Sequence, residues 1–254
     1  MTRELVYGRN AARELYRGPR EVYETWVTER AAGQIPWLDA GPRPHVKPER
    51  LLTEAAGTRD HQGVVTWCEP FRYADAHELA RGERPLVVCL DQVTDPHNLG
   101  AVARSAEGAG ASGIVIPAHG SARVTPVVCR ASAGAVEHLP VAVVQNLARY
   151  LEDVKSPHLW AYAADSEGSL RLWDADLTGG VALVLGGEGK GVRPLVRRTC
   201  DGVVAIPLAG KVGSLNVSVA SAVLLFEARR QRAASGASDP AGAAGGALGR
   251  KQGL

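Results

Sequence analysis

The sequence predicts an α/β protein with two domains, a small mixed domain followed by a larger one that is built on a mostly parallel sheet. The chain has 254 residues, of which 45% are hydrophobic and 22% charged. This length and apolar content are sufficient for one substantial core and a smaller second one. In the larger domain the apolar residues form continuous runs, and helix-like segments separate these runs. Such runs are typical of strands that are buried on both faces of a parallel sheet.

The first 74 residues alternate short helical and strand patterns, which predicts a small α/β domain. Two segments are helix-like, GRNAARELYR and PERLLTEAA, and two are strand-like, EVYETWVT and QGVVTWC. In chain order these four segments begin at Gly8, Glu21, Pro48 and Gln62. The polar residues 75–84 then end before Pro85, and we expect them to be a linker.

Six apolar runs predict the strands of the second domain, which we place over residues 85–232. The runs LVVCL, GIVIP, VAVV, LWAYA, VALVL and VVAIP begin at Leu86, Gly113, Val141, Leu159, Val181 and Val203. Helical segments between them supply the crossovers that parallel strands require. The last helix is predicted over residues 215–232. Residues 233–254 are rich in Ala, Gly and Ser, and we expect them to form a disordered tail.

Charge and cysteine content narrow the class of protein. The formal net charge is only +2, divided as +1 over residues 1–74, −3 over 75–228 and +4 over 229–254. Within the first twenty residues five arginines accompany only two acids, which predicts either a helix that faces RNA or an ordinary solvated surface. These arginines are Arg3, Arg9, Arg13, Arg17 and Arg20.

The sequence gives no indication of export or of a membrane. It contains no stretch of about 18 apolar residues, and its N-terminus lacks the apolar run of a signal peptide. The four cysteines are far apart and form no CxxC pair. We therefore expect a cytoplasmic protein with reduced thiols and no zinc site.

Three loops that follow predicted strands carry the candidate binding and catalytic residues. They contain DQVTDPHNLGAVARSAEGAG from Asp91, GGEGKG from Gly186 and LAGKVGSLNVSV from Leu208. Glycine-rich loops and helix N-termini let a nucleotide-like ligand approach the backbone. None of the loops matches GxGxxG, a P-loop, GxSxG or HExxH, which disfavours dinucleotide enzymes, NTPases and the common hydrolases.

In the first loop, either Asp95 or Asn98 can cap the helix that follows. The apolar positions of this helix form one stripe, made of Leu99, Val102, Ala103 and Ala106. Arg104 lies off that stripe and points away from the core. It is a candidate to contact RNA phosphate or to activate a hydroxyl, and a surface ion pair is the alternative.

The second and third loops offer further candidates. Glu188 is flanked by glycines directly after an apolar strand, where it is either functional or a solvated turn residue. In the third loop, Ser214 or Asn216 can cap the terminal helix. Asn216 also has the donor and acceptor groups to orient a ribose or a cofactor.

Taken in order, the three loops resemble the signature motifs of the SpoU (TrmH) family of RNA ribose 2'-O-methyltransferases. The resemblance covers about residues 85–232, with motifs at residues 98–104, 186–191 and 206–218. Near the N-terminus, Tyr7-Gly8-Arg9-Asn10 and His61-Gln62-Gly63 resemble the subgroup that has an RNA-binding domain of the ribosomal-protein kind. The best-known member of that subgroup methylates a guanosine in 23S rRNA.

The resemblance implies a deep trefoil knot in the second domain, where the second and third loops pass through one another. It also implies that S-adenosylmethionine binds in a bent form inside the knot, mainly through backbone groups. The implied cofactor positions are Gly186, Ile206 and Leu215, with Leu185, Gly187 and Leu208 as neighbours. A homodimer that forms through the knot domain, including the terminal helix, is implied as well.

For the chemistry, the resemblance implies transfer of a methyl group from the sulfonium to a ribose 2'-oxygen of RNA, with 23S rRNA as the expected substrate. Arg104 would be the general base or activator, although an arginine rarely gives up its proton. Asn98, Glu188, Ser214 and Asn216 would position the ribose, the phosphate and the loops. No metal is required, because the sulfonium already carries a good leaving group.

Several alternatives remain open from the sequence. Within the same chemistry, the substrate can be tRNA, or the enzyme can modify rRNA as a resistance determinant. A non-catalytic RNA-binding factor in ribosome assembly is a different class, and the complete motif set argues against it. A methyltransferase that acts on proteins or small molecules is another class, and it leaves the N-terminal domain unexplained.

Overall fold

The computed structural model describes residues 2–189 and 191–236, except for the side chains of residues 39 and 40. The strands within these ranges form two separate sheets. The first sheet has four strands in the order β1-β4-β2-β3. These strands are β1 (Glu4–Tyr7), β2 (Val22–Val27), β3 (His45–Val46) and β4 (Val64–Cys68). The helices beside them are α1 (Arg9–Arg17), α2 (Glu29–Ala32), α3 (Glu49–Ala56) and the 3-10 turn Pro36–Ala40.

The second sheet has seven strands in the order β7-β6-β5-β10-β8-β11-β9, and every neighbouring pair in it is parallel. All six predicted runs are strands of this sheet, and β9 is an additional short one. The strands are β5 (Leu86–Asp91), β6 (Gly113–Pro117), β7 (Val141–Val144), β8 (Leu159–Ala164), β9 (Leu170–Arg171), β10 (Gly180–Gly186) and β11 (Gly202–Ala205).

Helices cover both faces of the seven-stranded sheet, so its central strands are buried on both sides. In β10, Leu183 and Leu185 belong to one core cluster, whereas Ala182 and Val184 belong to another. This alternation explains why β10 appears in the sequence as an unbroken apolar run. The helices are α4 (Ala76–Leu79), α5 (Pro96–Ala109), α6 (Pro126–Ala131), α7 (Leu147–Val154), α8 (Pro194–Thr199) and α9 (Val217–Ala234), with 3-10 turns at Ala135–Glu137 and Leu172–Asp174.

The predicted linker over residues 75–84 contains α4, which the sequence analysis did not identify. Asp75 caps this helix by accepting a hydrogen bond from the His77 N–H at 2.8 Å, and Ala76 and Leu79 are buried. Ala74 already donates a backbone hydrogen bond to the Val141 carbonyl of β7. This segment therefore packs against the edge of the parallel sheet. Burial of its apolar side chains there stabilises a helix that is too short to be stable by itself.

The terminal helix α9 begins and ends two residues later than predicted. Asn216 caps it, since its Oδ1 accepts a hydrogen bond from the Ser218 N–H at 2.8 Å. The helix continues through Ala233 and Ala234, so these two residues do not belong to a disordered tail. Ser235 and Gly236 follow the helix, and residues 237–254 of the predicted tail lie outside the described residues.

The two sheets belong to units that pack against each other through apolar and charged contacts. Ala11 and Leu15 of α1 share a core cluster with Val128 of α6. Beside them, the Arg20 guanidinium donates from Nε to Oε2 of Glu137 at 2.8 Å, and both side chains are buried. The N-terminal unit is therefore attached to the larger unit through a continuous core and a buried ion pair.

Most arginines of the predicted RNA-facing helix have acidic partners. Arg13 and Arg17 both pair with Glu14, and Arg20 is buried against Glu137 and Glu4. The prediction of an RNA-facing helix is therefore wrong for Arg20, which lies at the junction of the two units. Arg13 and Arg17 fit the alternative of an ordinary solvated surface.

Three general features of the described residues bear on the class of protein. No helix among them is long and apolar enough to cross a membrane, and none of their His, Cys, Asp and Glu side chains form a group that could hold a metal ion. All four cysteines are free thiols. Burial raises the pKa of the Cys68 and Cys200 thiols to about 12, so both stay protonated at neutral pH.

Candidate active site at the carboxyl edge of the parallel sheet

The topology of the second sheet brings the three motif loops together. Strands β5, β10, β8 and β11 are consecutive neighbours and run in parallel, so their carboxyl ends lie at one edge of the sheet. The first, second and third loops leave this edge from β5, β10 and β11. Ligands of open α/β sheets bind at this edge, where loops diverge from the strand ends.

A cavity of about 510 Å³ opens at this edge. Apolar side chains and glycine backbone form most of its wall, and a few polar groups interrupt them. The lining residues are Ala164, Asp165, Ser166, Leu185, Gly186, Gly187, Glu188, Gly189, Gly191, Val204, Ile206, Leu208, Ser214, Leu215, Asn216, Val217 and Ala220.

Two glycines in the wall are required by close backbone contacts. A Cβ atom on Gly186 would lie 1.9 Å from the Gly191 carbonyl carbon. A Cβ atom on Gly187 would lie 2.2 Å from the Gln92 carbonyl oxygen. Any side chain at either position would force the second loop away from its neighbours, so the glycines fix the shape of the cavity.

One carboxylate joins residues of all three motif loops. Oε1 of Glu188 accepts hydrogen bonds from Nδ2 of Asn98 and Nδ2 of Asn216, both at 2.9 Å. Nδ2 of Asn216 also lies 3.1 Å from Oδ1 of Asn98. Oε2 of Glu188 has no hydrogen-bond partner in the part of the chain that the structure describes. We call these three residues the amide–carboxylate cluster; it holds a negative charge in place with neutral donors and leaves one oxygen open.

A second, smaller cavity of about 250 Å³ lies on the other side of this cluster. The two cavities share Gly187, Glu188 and Val217 as lining residues. The smaller one is completed by residues of the first loop and of the loop after β6, namely Gln92, Val93, Thr94, Asp95, Asn98 and Gly120. The cluster therefore lies where a ligand in one cavity could contact a ligand in the other.

An ion pair between buried Asp91 and partly exposed Arg193 holds the second loop at both of its ends. The Asp91 side chain is fully buried, and it accepts hydrogen bonds from N and Nε of Arg193, both at 2.8 Å. The Asp91 carbonyl oxygen accepts a hydrogen bond from the Gly187 N–H at 2.9 Å. Asp91 thus connects the end of β5 to both ends of the loop that carries Glu188.

Sequence reasoning did not identify Asp91 as a site residue. The available signal was an acidic residue that ends an otherwise apolar run, since a buried carboxylate needs a partner. It also missed three residues that line the larger cavity: Ala164, the last residue of β8, and Asp165 and Ser166, which follow it. Their signal was their position directly after an apolar strand, as in the three motif loops.

The structure brings most of the predicted site residues together. All six predicted cofactor positions line the larger cavity, and they are Leu185, Gly186, Gly187, Ile206, Leu208 and Leu215. Glu188, Ser214 and Asn216 line it as well, and Asn98 lines the smaller cavity. Lys190, part of the second motif, lies outside the described residues.

Arg104 is the predicted residue that lines neither of these two cavities. It is exposed on α5, six residues after Asn98. Six residues advance about 9 Å along a helix and turn it to a different face. Helix α5 therefore presents Asn98 to the cluster and Arg104 to solvent, and Asp95 rather than Asn98 caps it.

Comparisons with known proteins agree with this arrangement. A model of the SpoU rRNA Methylase family matches residues 85–226. The chain is 38% identical over 240 residues to the putative TrmH family tRNA/rRNA methyltransferase YacO of Bacillus subtilis, covering 90% of this chain and 96% of that protein. It is 41% identical over 240 residues to the 23S rRNA (guanosine-2'-O-)-methyltransferase RlmB of Pseudomonas putida, covering 90% and 97%.

A solved structure is similar over most of the chain. The SpoU methyltransferase AviRb from Streptomyces viridochromogenes, in complex with the cofactor AdoMet, matches with a TM-score of 0.75 and 28% identity, covering 90% of each chain. The family model spans more than half of the present sequence, and the relatives align over nearly all of it. From these matches and the convergence of its three motif loops, the chain belongs to the SpoU rRNA methylase family.

Proposed function

We propose that this protein transfers a methyl group from S-adenosylmethionine to the 2'-hydroxyl of a guanosine ribose in 23S rRNA. The observation that carries the proposal is the amide–carboxylate cluster, which joins three motif loops between two adjacent cavities. One cavity suits a cofactor and the other a target nucleotide. The activity for which the RlmB relative is named supports guanosine in 23S rRNA as the target.

The larger cavity fits S-adenosylmethionine by size and by chemistry. Its volume of about 510 Å³ is in the range of ligand pockets for small molecules. Leu185, Ile206 and Leu215 offer apolar surface to an adenine ring, and the glycine backbone offers polar groups without side chains in the way. When bound there, the cofactor supplies an electrophilic methyl group on a sulfonium. The AdoMet complex of AviRb supports this assignment.

The chain itself has to position the acceptor and help to remove its proton, because a neutral hydroxyl is a weak nucleophile. We propose that the open Oε2 of Glu188 accepts a hydrogen bond from the target ribose. Asn98 and Asn216 hold that carboxylate in place, so the ribose is oriented before reaction. Ser214, which is exposed at the rim of the larger cavity, would contact the same nucleotide.

Arg104 has a different role in this proposal. A guanidinium stays protonated under ordinary conditions, so it serves better as a positive charge than as a base. We propose that Arg104 binds RNA phosphate near the target or lowers the pKa of the attacking hydroxyl. Its exposed position leaves it accessible to an RNA strand.

The domain plan belongs to the same proposal. Residues 1–74 would be an RNA-binding domain of the ribosomal-protein kind, and residues 85–232 the methyltransferase domain with a deep trefoil knot. Convergence of the second and third loops on one cavity supports the knot. We also propose a cytoplasmic homodimer; its support is the apolar surface of α9, where Val219 and Phe226 are about half exposed.

The test is methyl transfer by the full-length protein. Labelled S-adenosylmethionine is incubated with unmodified 23S rRNA, 16S rRNA and bulk tRNA in parallel, and products are mapped by nuclease digestion and mass spectrometry. We expect a 2'-O-methylguanosine in 23S rRNA, and a loss of about 10²- to 10³-fold in Arg104→Ala, because a positive charge near the reacting oxygen is removed. Arg149→Ala is the matched control, because Arg149 is an exposed helical arginine paired with Asp153.

Two outcomes would contradict the proposal. Methylation of tRNA alone would replace the substrate with the tRNA alternative. Binding of S-adenosylmethionine without methyl transfer to any of the three RNAs, or to precursor ribosomal particles, would favour the non-catalytic RNA-binding alternative.

A further inference from the structure

The cations of the N-terminal unit divide into two groups, according to whether they have an acidic partner. Five of them form ion pairs within the described residues: Arg3, Arg13, Arg17, Arg20 and Arg72. Six form none with the described acids: Arg9, Arg30, Arg43, Lys47, Arg50 and Arg59. The sequence alone did not show which of these cations have an acidic partner and which do not.

Four of the uncompensated cations line one groove. This groove has a volume of about 870 Å³ and is lined by Arg9, Arg30, Lys47 and Arg59. Glu29 and Glu49 are its acidic lining residues, so the lining has a net formal charge of +2. A concave surface with an excess of one charge concentrates ligands of the opposite charge.

Arg9 is held in the groove by neutral acceptors. Its Nε donates to the Gln62 carbonyl oxygen and its Nη2 to Oε1 of Gln34, both at 3.1 Å. These contacts fix the guanidinium but leave its charge uncompensated. An arginine that is positioned in this way loses little conformational entropy when it binds an anion.

The turn that holds Arg9 is itself unusual. Gln62 has a φ of 54°, in the left-handed region that non-glycine residues rarely adopt. Buried His61 supports the turn, because its Nδ1 accepts a hydrogen bond from the Gly63 N–H at 3.0 Å. Its Nε2 therefore carries the proton and faces Oγ1 of Thr53 at 3.0 Å. Strained backbone that the surrounding structure maintains is concentrated at functional sites.

A second groove cation is also held in place. Nζ of Lys47 lies 5.6 Å from the centre of the Trp26 ring, a cation–π contact. Next to the groove residue Arg9, Arg130 of α6 in the larger unit packs its Cδ against Gly8. Its Nε contacts the Asp60 carbonyl oxygen at 3.4 Å, and it forms no ion pair with the described acids. The uncompensated charge thus continues from the groove to the unit that carries the candidate active site.

We propose that this groove binds the phosphodiester backbone of the RNA substrate through Arg9, Arg30, Lys47 and Arg59. The proposal rests on the proposed function for the identity of the RNA, and adds which face of the N-terminal unit holds it. Phosphate contacts position an RNA without reading its sequence. The groove would therefore anchor the RNA, and selection of the target nucleotide would take place at the catalytic edge of the larger unit.

The test compares groove cations with acid-paired cations of the same unit. Arg30→Ala, Arg59→Ala and the double variant are matched with Arg13→Ala and Arg17→Ala, whose charges pair with Glu14. Binding of each full-length protein to fluorescent 23S rRNA fragments is measured by anisotropy at several KCl concentrations. Thermal unfolding of each variant checks that the fold is intact.

Each groove variant should lower the magnitude of the slope of log K against log salt by about 0.7 to 0.9, and the double variant by about twice that. Affinity should fall by a similar factor for fragments of different sequence, and the controls should keep the slope of the parent. Unchanged slopes in folded groove variants, or equal losses in the controls, would overturn the proposal. So would tighter binding of poly-glutamate than of RNA by the parent protein.

Binding and methyl transfer are scored separately, so that the two proposals can fail independently. RNA binding that depends on the groove, without methyl transfer, would leave the groove in place and contradict the proposed enzyme. Methyl transfer with binding that does not depend on Arg30 and Arg59 would leave the enzyme in place and contradict the groove.

Discussion

Glu137 and Glu188 show two ways in which this molecule uses a carboxylate. Glu137 is buried at the junction of the two units, and both of its oxygens accept hydrogen bonds from Arg20. Glu188 is exposed between two cavities, where two amide groups donate to a single oxygen. Its other oxygen has no partner among the described residues.

The number of partners distinguishes a carboxylate that stabilises the structure, such as Glu137, from one that is available to a ligand, such as Glu188. A buried carboxylate needs a complete set of partners, since an unpaired charge in the interior costs several kcal/mol. A carboxylate that neutral amides hold in place keeps its charge and one free oxygen for a ligand. The same distinction applies to Arg20, which is fully engaged, and to Arg9, which is fixed by neutral acceptors.

The largest expected effect comes from removing the buried carboxylate. Glu137→Ala removes two hydrogen bonds of the buried Arg20 guanidinium and leaves Glu4 as its acidic partner. It should lower the free energy of unfolding by about 3 kcal/mol, measured by urea denaturation. The double variant Arg20→Met, Glu137→Met should recover part of that loss, because both buried charges are removed together and Glu4 keeps its hydrogen bond from the Phe71 N–H. A loss below 1 kcal/mol in Glu137→Ala would show that water already reaches this pair.

The next effect concerns the half-engaged carboxylate. Glu188→Ala removes the acceptor that Asn98 and Asn216 share, so kcat/KM for methyl transfer should fall about 100-fold, equivalent to about 2.7 kcal/mol. The free energy of unfolding should stay within about 0.5 kcal/mol of the parent, since the side chain is exposed. Glu152→Ala, another exposed glutamate, is the control and should leave both quantities unchanged. A Glu188→Ala variant with full activity would remove the cluster from the proposed mechanism.

Asp91 lies between the two cases, because it is fully buried and paired but holds a loop of the candidate site. Asp91→Asn should weaken the hydrogen bonds to Arg193 and raise the Kd for S-adenosylmethionine about tenfold, measured by titration calorimetry. Asp201→Asn is matched with it, since Asp201 pairs with Lys155 and accepts from the Ala161 N–H away from the cavities. Equal effects in the two variants would indicate general loosening rather than control of the second loop.

The smallest effect is a pH dependence from His61, which supports the Arg9 turn. Burial lowers the pKa of this imidazole, so the unfolded chain binds a proton more readily than the folded one. Stability should therefore be constant above about pH 6.5 and decline as the pH falls below it, by at most about 1.4 kcal/mol per pH unit. Urea midpoints from pH 7.5 to 5 should show this decline in the parent and less of it in His61→Gln. An identical decline in both proteins would assign it to other groups.

Long, strongly patterned elements were predictable from the sequence, and short ones were not. All six apolar runs are strands, and Leu99, Val102, Ala103 and Ala106 are buried as their helical spacing predicts. The helix α4 and the strand β9 were missed, because four and two residues are too few to show a period. Their formation depends on packing against a sheet that the local sequence does not describe.

The candidate site was predictable in part, for a physical reason that differs between its residues. The cavity-lining positions of the second loop and of the start of the third loop follow strand ends directly, so a parallel sheet places them at one edge. Ser214 and Asn216 lie farther along the third loop, at the start of α9. Asp165 and Ser166 follow a strand end too, but their loop has the single glycine Gly168 and no glycine-rich run. Arg104 was identified as a residue off the apolar stripe, yet its distance from both cavities depends on where α5 lies on the sheet.

By itself, the sequence determined the strands, the helices that connect them, and the three polar loops, because these depend on residues close together in the chain. Only the tertiary structure decided which charges are paired and which remain open. Arg20 and Glu137 are 117 positions apart, and Asn98 and Asn216 are 118 positions apart. Contacts over such separations form through the packing of whole elements, so an isolated residue carries no sign of whether its partner will be an acid, an amide or a ligand.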